Sequence, residues 1–389
     1  MERRTFVSTA ALGVAALMVP RIATARDTVS AAPDAATLHV NPVTGDDTKA
    51  GSERLPLRTL AEAARRVSSD TGRGSLTVIM TEGIHAIGET ARFAPPPGRF
   101  TKSERLVIRA DVLPDETAWD HGRVPTLIHT LPVEDTWNGR PDMLGGAADG
   151  MLIETSHVTI QGLRILGMPV VESPRAGEIK RLYAISRLRP ELDDLEIAQC
   201  VFAGDEVVAP NHVGIIARGN GLVVQHCIFR GLKISAVYWS GGSTGHTMHH
   251  CVNSDLYGSA VWTAGVADDF AYHNNVVAHC NYVWTHQDSA SANADAGAKC
   301  AAPTAPPARS HYRVVDSHFS DNRRLTGSGT GARLEYHDID SSFLEMVRTT
   351  TAAQSHVWEH SQEKRTYLHP ESGTAAAATG AGLFMTRSS

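Results

Sequence analysis

Leu195-Glu196-Ile197-Ala198-Gln199-Cys200-Val201-Phe202 is followed by Leu222-Val223-Val224-Gln225-His226-Cys227-Ile228-Phe229, then by His246-Thr247-Met248-His249-His250-Cys251-Val252-Asn253 and Phe270-Ala271-Tyr272-His273-Asn274-Asn275-Val276-Val277. The copies stand 27, 24 and 24 residues apart. Looser copies flank them: Val158, Ile160, Leu163 and Ile165 upstream, and Tyr312, Val314, Ser317 and Phe319 downstream. In each copy the inward positions run i, i+2, then i+5 and i+7. Alternation of period two on either side of one phase shift reads as strand, tight bend, strand. A fixed period of this length marks a solenoid, whose repeats bury their apolar faces only against one another.

The residue at i+5 points inward and stacks on its equivalent about 4.8 Å along the axis. Cys200, Cys227, Cys251 and Asn275 therefore form a buried column. Such a column accounts for cysteine without disulfides, because the thiol is small, apolar and among the most buried side chains; a disulfide between neighbours is the alternative. One Cys per repeat lacks the paired short spacing of zinc ligands. A third strand follows each bend, at Ala236-Val237-Tyr238-Trp239, Ala260-Val261-Trp262-Thr263 and Tyr282-Val283-Trp284-Thr285, with an earlier copy at His212–Ala217. Three strands per turn make a coil, not a sandwich or barrel.

These repeats resemble right-handed parallel β-helix proteins of the pectate-lyase-like superfamily. Leu38-His39-Val40-Asn41-Pro42-Val43-Thr44-Gly45-Asp46-Asp47, with Gly51-Ser52 and Pro56-Leu57-Arg58-Thr59-Leu60-Ala61-Glu62-Ala63, is similar to the opening of such proteins, where the second part forms a helix that caps the solenoid and hides its strand edges. Tyr367–Thr374 and Gly380-Ala381-Gly382-Leu383 are similar to their closing segment. The resemblance implies an all-β fold, a single right-handed parallel β-helix from Leu38 to about Phe384 with an N-terminal capping helix. It implies activity on polysaccharides without choosing among lyases, hydrolases, epimerases and esterases. Two stretches interrupt the repeat: an Ala/Pro-rich surface insertion at 289–310 and a shorter loop at 169–180.

At the N-terminus, Arg3 and Arg4, then Thr5-Phe6-Val7, the apolar run Ala10–Val19 and Ala23-Thr24-Ala25 resemble a twin-arginine export signal. Residues 1–25 are thus expected to be removed, leaving a mature start near Arg26 and a periplasmic or secreted protein. The apolar run is about half of the ~20 residues needed to span a bilayer, and no later segment is long and apolar enough. A formal net charge of -6 provides no basic stripe to neutralise phosphates, which argues against a nucleic-acid partner. The expected state is a monomer whose partner is a polysaccharide.

If Val237, Val261 and Val283 face inward, alternation puts Tyr238, Trp262 and Trp284 outward on successive turns, as a row of rings able to stack on sugar C–H faces or to pack beneath the insertion. Just before that strand Lys233, Tyr257 and His279 form a second column, once a two-residue deletion is allowed. Arg218, His286 and Asp288 extend outward from the same strand at its far end. These are the residue types a glycan lyase needs: one to remove the proton alpha to a uronate carboxylate, one to neutralise that carboxylate, one to protonate the leaving oxygen. A solvated turn face is the competing account. Hydrolysis would need two facing carboxylates, for which Asp255 and Asp288 are the candidates, and a glycan-binding protein without catalysis would use the aromatic row alone. Metal is not expected at His249 and His273, which lack a nearby carboxylate. Calcium is a common helper in the resembling lyases, and Asp193-Asp194 or Asp268-Asp269 are turn carboxylates that could hold it.

Overall fold

The structure, a computed structural model, describes residues 36–130, 147–167, 181–204, 212–239, 243–264, 266, 269–287, 312–328, 370 and 373–385. The expected export signal, the loop at 169–180 and the insertion at 289–310 lie outside them. The described strands form three sheets of nine, eight and eight strands, and every pairing between named strands is parallel. One turn of the coil contributes Leu222–Gln225 to the first sheet, Ile228–Arg230 to the second and Ile234–Trp239 to the third. The turns stack as a right-handed parallel β-helix, the hand in which a strand closes through a crossover onto its parallel neighbour.

The repeats pair as their spacing predicts. Leu195 lies on Leu222, Val224 on Met248, Phe229 on Asn253 and Val277 on Phe319. Between the first and second sheets, five successive turns each bend at a single non-glycine residue with positive φ: Gln199 (52°), His226 (49°), His250 (53°), Asn274 (55°) and Asp316 (47°). Asn, Asp and His tolerate this region best among non-glycine residues, which is why polar residues recur at a position flanked by core. Cys200, Cys227, Cys251, Asn275 and Ser317 follow the bend and are buried; the four described cysteines are free thiols. The Asn275 amide donates to the Met248 carbonyl (2.9 Å) and accepts from the Cys251 N–H (2.9 Å), stitching turn to turn. Phe202 and Phe229 stack at 4.7 Å.

The capping helix runs from Leu60 to Ser69 and buries Leu60, Ala61, Ala63, Ala64 and Val67. Thr59 caps it, accepting from the Glu62 N–H. Asp47 fixes the approach by accepting from the Arg58 and Thr59 N–H groups at 2.8 and 2.9 Å. A Cβ at Gly45 would stand 2.1 Å from the Leu57 carbonyl oxygen, so only glycine fits there. At the other end of the chain, Ala376, Ala381, Leu383 and Phe384 cover the outer face of the second sheet at Val201, Ile228, Val252 and Val276.

Candidate functional site

The third sheet sets the site, and its register differs from the expected one. Between the second and third sheets Lys233, Tyr257 and Asn281 are equivalent, because their backbone N–H groups donate to His212, Leu232 and Leu256 respectively. The next turn then inserts one residue, Gly258, before Ser259 pairs with Ile234. A Cβ at Gly258 would lie 2.1 Å from the Lys233 carbonyl oxygen. The following turn lacks that residue, and Tyr282 pairs with Ser259. Trp262 therefore lies between Val237 and Thr285, while Trp284 lies on Val261.

These pairings decide which rings face out. Tyr238 is fully buried against Phe270 (ring centroids 4.5 Å). Trp284 is fully buried too, stacked on Tyr312 at 5.0 Å with its indole N–H donating to the Thr263 hydroxyl at 2.9 Å. Both belong to the core, so the expected outward row of three is corrected to one member, Trp262. Val261 and Val283 face inward as expected, but Val237 joins the outer cluster. Trp239, on the preceding strand, is Trp262's partner on that face, with ring centroids 6.2 Å apart and both side chains half-buried. Around them the outer face carries Tyr183, Val213, Ile216, Ile234 and Val237. Sequence reasoning missed Trp239 because it held the register fixed.

Of the expected titratable column, Lys233 and Tyr257 stay neighbours on successive turns, each half-buried. His279 leaves the column. Its φ of 58° puts it at the turn position shared by Gly231, Asp255 and Asp321, where it is exposed and 3.8 Å from the Asp321 carboxylate; its place reflects a backbone demand for positive φ. His286 pairs with Thr263, the two side chains meeting at 3.0 Å, and its ring lies 6.0 Å from the core residue Tyr312. It thus turns toward the interior, not outward as expected. Arg218 follows the strand at its far end, its N–H donating to the Arg187 carbonyl at 2.7 Å. Asp288 lies outside the described residues. Asp255 is exposed and meets the Arg230 guanidinium at 3.3 Å, and no facing pair of carboxylates occurs on this face among the described residues. Of the suggested calcium ligands, Asp194 accepts from Arg105 (2.5 Å) and His157 (2.8 Å) and Asp269 accepts from the Gly245 N–H (2.7 Å), while Asp268 lies outside the described residues.

A second polar cluster occupies the corner between the first and second sheets. His226 stacks on His250 at 4.8 Å and His249 on His273 at 4.9 Å, two stacks side by side. Burial and the neighbouring imidazoles push His249 down to about 4. Inside the coil, Arg187 is fully buried and donates to the Arg218 and Asn220 carbonyls at 2.8 and 2.7 Å; burial lowers it to about 10, so it keeps its charge. No helix among the described residues is long and apolar enough to cross a membrane.

No family model matches the chain, and no curated protein matches it. Among solved structures it is similar to a lacto-N-biosidase from Eubacterium ramulus, at 11% identity over 75% of this chain and 51% of that one, TM-score 0.44. A rhamnogalacturonan lyase matches at 10% identity over 75% and 70% of the two chains, TM-score 0.44. A pectate lyase matches at 10% identity over 88% and 91%, TM-score 0.37. The chain spans about half the length of the lacto-N-biosidase. Identities this low carry no residue from one chain to another.

Proposed function

We propose that the protein is exported by the segment 1–25, folds as one solenoid domain over 38–384, and acts in the periplasm or outside the cell on an acidic polysaccharide held against the outer face of the third sheet. The observation that carries this is the pair Trp239 and Trp262, two half-buried indoles 6.2 Å apart on adjacent turns, on the sheet whose leading corner presents Lys233 and Tyr257. Indole faces hold sugar rings by burying their apolar C–H surface. Lys233 and Tyr257, one turn or about 4.8 Å apart, supply a base for the proton alpha to a uronate carboxylate and an acid for the leaving oxygen. Trp262 is five residues beyond Tyr257, up to about 16 Å along the strand at about 3.3 Å per residue. An oligosaccharide, not a single sugar, is therefore needed to touch both.

A second reading, binding without cleavage, draws on the position of Arg218, at the opposite end of the strand from Lys233 and too far to neutralise the same carboxylate. One experiment separates them. The purified chain is incubated with pectin, alginate and glycosaminoglycans while the ultraviolet absorbance of the C4–C5 double bond made by elimination is followed. Lyase action predicts a signal that falls by about 10² to 10⁴ in Lys233→Ala and Tyr257→Phe, and a KM that rises in Trp262→Ala with kcat retained. Retention without absorbance in affinity electrophoresis, lost in Trp239→Ala and Trp262→Ala, establishes binding alone. The absence of both absorbance and retention on all of these glycans removes the proposal.

A further inference from the structure

The four histidines at the corner opposite the third sheet make a second, separate site. Neighbours in a strand normally point to opposite faces, yet His249 and His250 converge, their Nδ1 atoms 2.9 Å apart. The positive φ of His250 turns the chain at that point and carries its ring to the same side. His226 holds the equivalent bend one turn earlier, so it stacks on His250, and His273 holds the position equivalent to His249 one turn later. One nitrogen each from His226, His249 and His250 lies within 4.8 Å of the others.

From these contacts we infer that His226, His249 and His250 form a binding site for a divalent transition-metal ion of the zinc, nickel and copper class. Three neutral imidazoles select such ions over calcium or magnesium, which prefer oxygen. With metal–nitrogen bonds of about 2.0–2.1 Å in a tetrahedron, ligand nitrogens stand about 3.3 Å apart. The 2.9 Å pair must open slightly and the third ring must close in, movements that rotation about the side-chain torsions supplies. The surroundings orient the ligands. His226 Nδ1 lies 3.0 Å from the Gly382 carbonyl oxygen, to which only a protonated nitrogen can donate, leaving Nε2 as the ligating atom. This is the outer-shell carbonyl that metal-bound histidines commonly use. The Gly382 N–H in turn donates to the His250 carbonyl at 2.9 Å, and the Thr379 carbonyl accepts from Asn274 at 3.2 Å. A bound ion would thus join two turns of the coil beneath the segment Thr379–Leu383. His273, whose Nδ1 lies 2.9 Å from the Asn274 amide oxygen, flanks the site by stacking on His249 from the next turn.

The test titrates the chelator-treated full chain, without a histidine tag, with Zn²⁺ against a chromophoric chelator, and with Co²⁺ while recording its visible spectrum. Expected are one ion per chain, an intense tetrahedral Co²⁺ spectrum and no competition from excess Ca²⁺. His249→Ala and His226→Ala should weaken Zn²⁺ by more than the roughly 10- to 100-fold that outer-shell losses cost, while His121→Ala, at an exposed histidine elsewhere, leaves it unchanged. X-ray absorption on the wild-type zinc complex counts imidazole ligands without any variant, so misfolding of a variant leaves the idea testable. Absence of tight binding, or a wild-type complex with fewer than three imidazoles, overturns the inference and leaves the rings as a stacked ladder that only packs.

Discussion

His246 couples acidity to the stability of the coil through one hydrogen bond. It is fully buried at the start of its repeat, 1% exposed, and its Nδ1 accepts from the Leu222 N–H at 3.1 Å while Nε2 meets the Ser243 hydroxyl at 3.0 Å. Nδ1 must therefore be unprotonated. Adding a proton would set two N–H groups against each other, in a site already desolvated and near the Arg187 charge. Burial first, and Arg187 second, lower His246 from an ordinary value near 6.5 to about 3. At about 1.36 kcal/mol per unit that depression is worth up to about 4–5 kcal/mol, a large part of the roughly 5–15 kcal/mol that holds a typical domain. Because the folded value lies below the unfolded one, the contribution is complete above about pH 6.5 and is lost as the pH falls toward 3. His129 and His212, buried and lowered to about 4 and about 3 mainly by desolvation, act in the same direction.

The assay is urea unfolding of wild type and His246→Gln between pH 7 and pH 4. Glutamine can still accept from the Leu222 N–H but does not titrate. The variant should lose stability at pH 7 through imperfect packing, yet its stability should fall with pH less steeply, by up to about 1.4 kcal/mol per pH unit. Parallel slopes for the two proteins would refute the reasoning, since His246 would then bind a proton equally in both states.

Gly258→Ala should destabilise by about 1–3 kcal/mol, read from the urea midpoint, because the new methyl meets the Lys233 carbonyl and the inserted residue has nowhere to move. In a Cys300→Ser background the four buried thiols should resist a thiol reagent in the native protein and all react after denaturation; burial raises the Cys280 thiol to about 12 and pushes Cys200 and Cys227 well up. Asn275→Ala should cost about 1–3 kcal/mol for each backbone group it strands, at Met248 and Cys251, with no change in glycan binding at the third sheet.

Much of the fold was readable because the repeat reports on itself. Val224, Cys227 and Phe229 state the inward positions, and Met248, Cys251 and Asn253 restate them 24 residues later, so an error at one turn would clash with the next. Even Asn253 and Asn275, polar residues at core positions, were placed correctly by their register alone. The capping helix was expected from the resemblance of the opening segment, and the structure shows what anchors it locally: Asp47 accepts from the Arg58 and Thr59 N–H groups and Thr59 from the Glu62 N–H.

The site was less legible because its residues stand where period two fails. Gly258 adds one residue at a corner, invisible to the first two sheets, whose pairings keep a spacing of 24. In the third sheet that residue shifts its own turn by one position, so Trp262 pairs with Val237 and takes the outer face beside Trp239, while Tyr238 on the turn before and Trp284 on the turn after, neither of which carries the insertion, fill the core. The bends do the same on the opposite corner, where positive φ at His250 puts two consecutive histidines on one side. A solenoid keeps its stability in the strands, where alternation must hold for the turns to stack. It has freedom to vary at the corners, where one inserted residue or one left-handed bend redirects a side chain without unstacking a turn, and those are the positions at which both clusters of chemical interest are assembled.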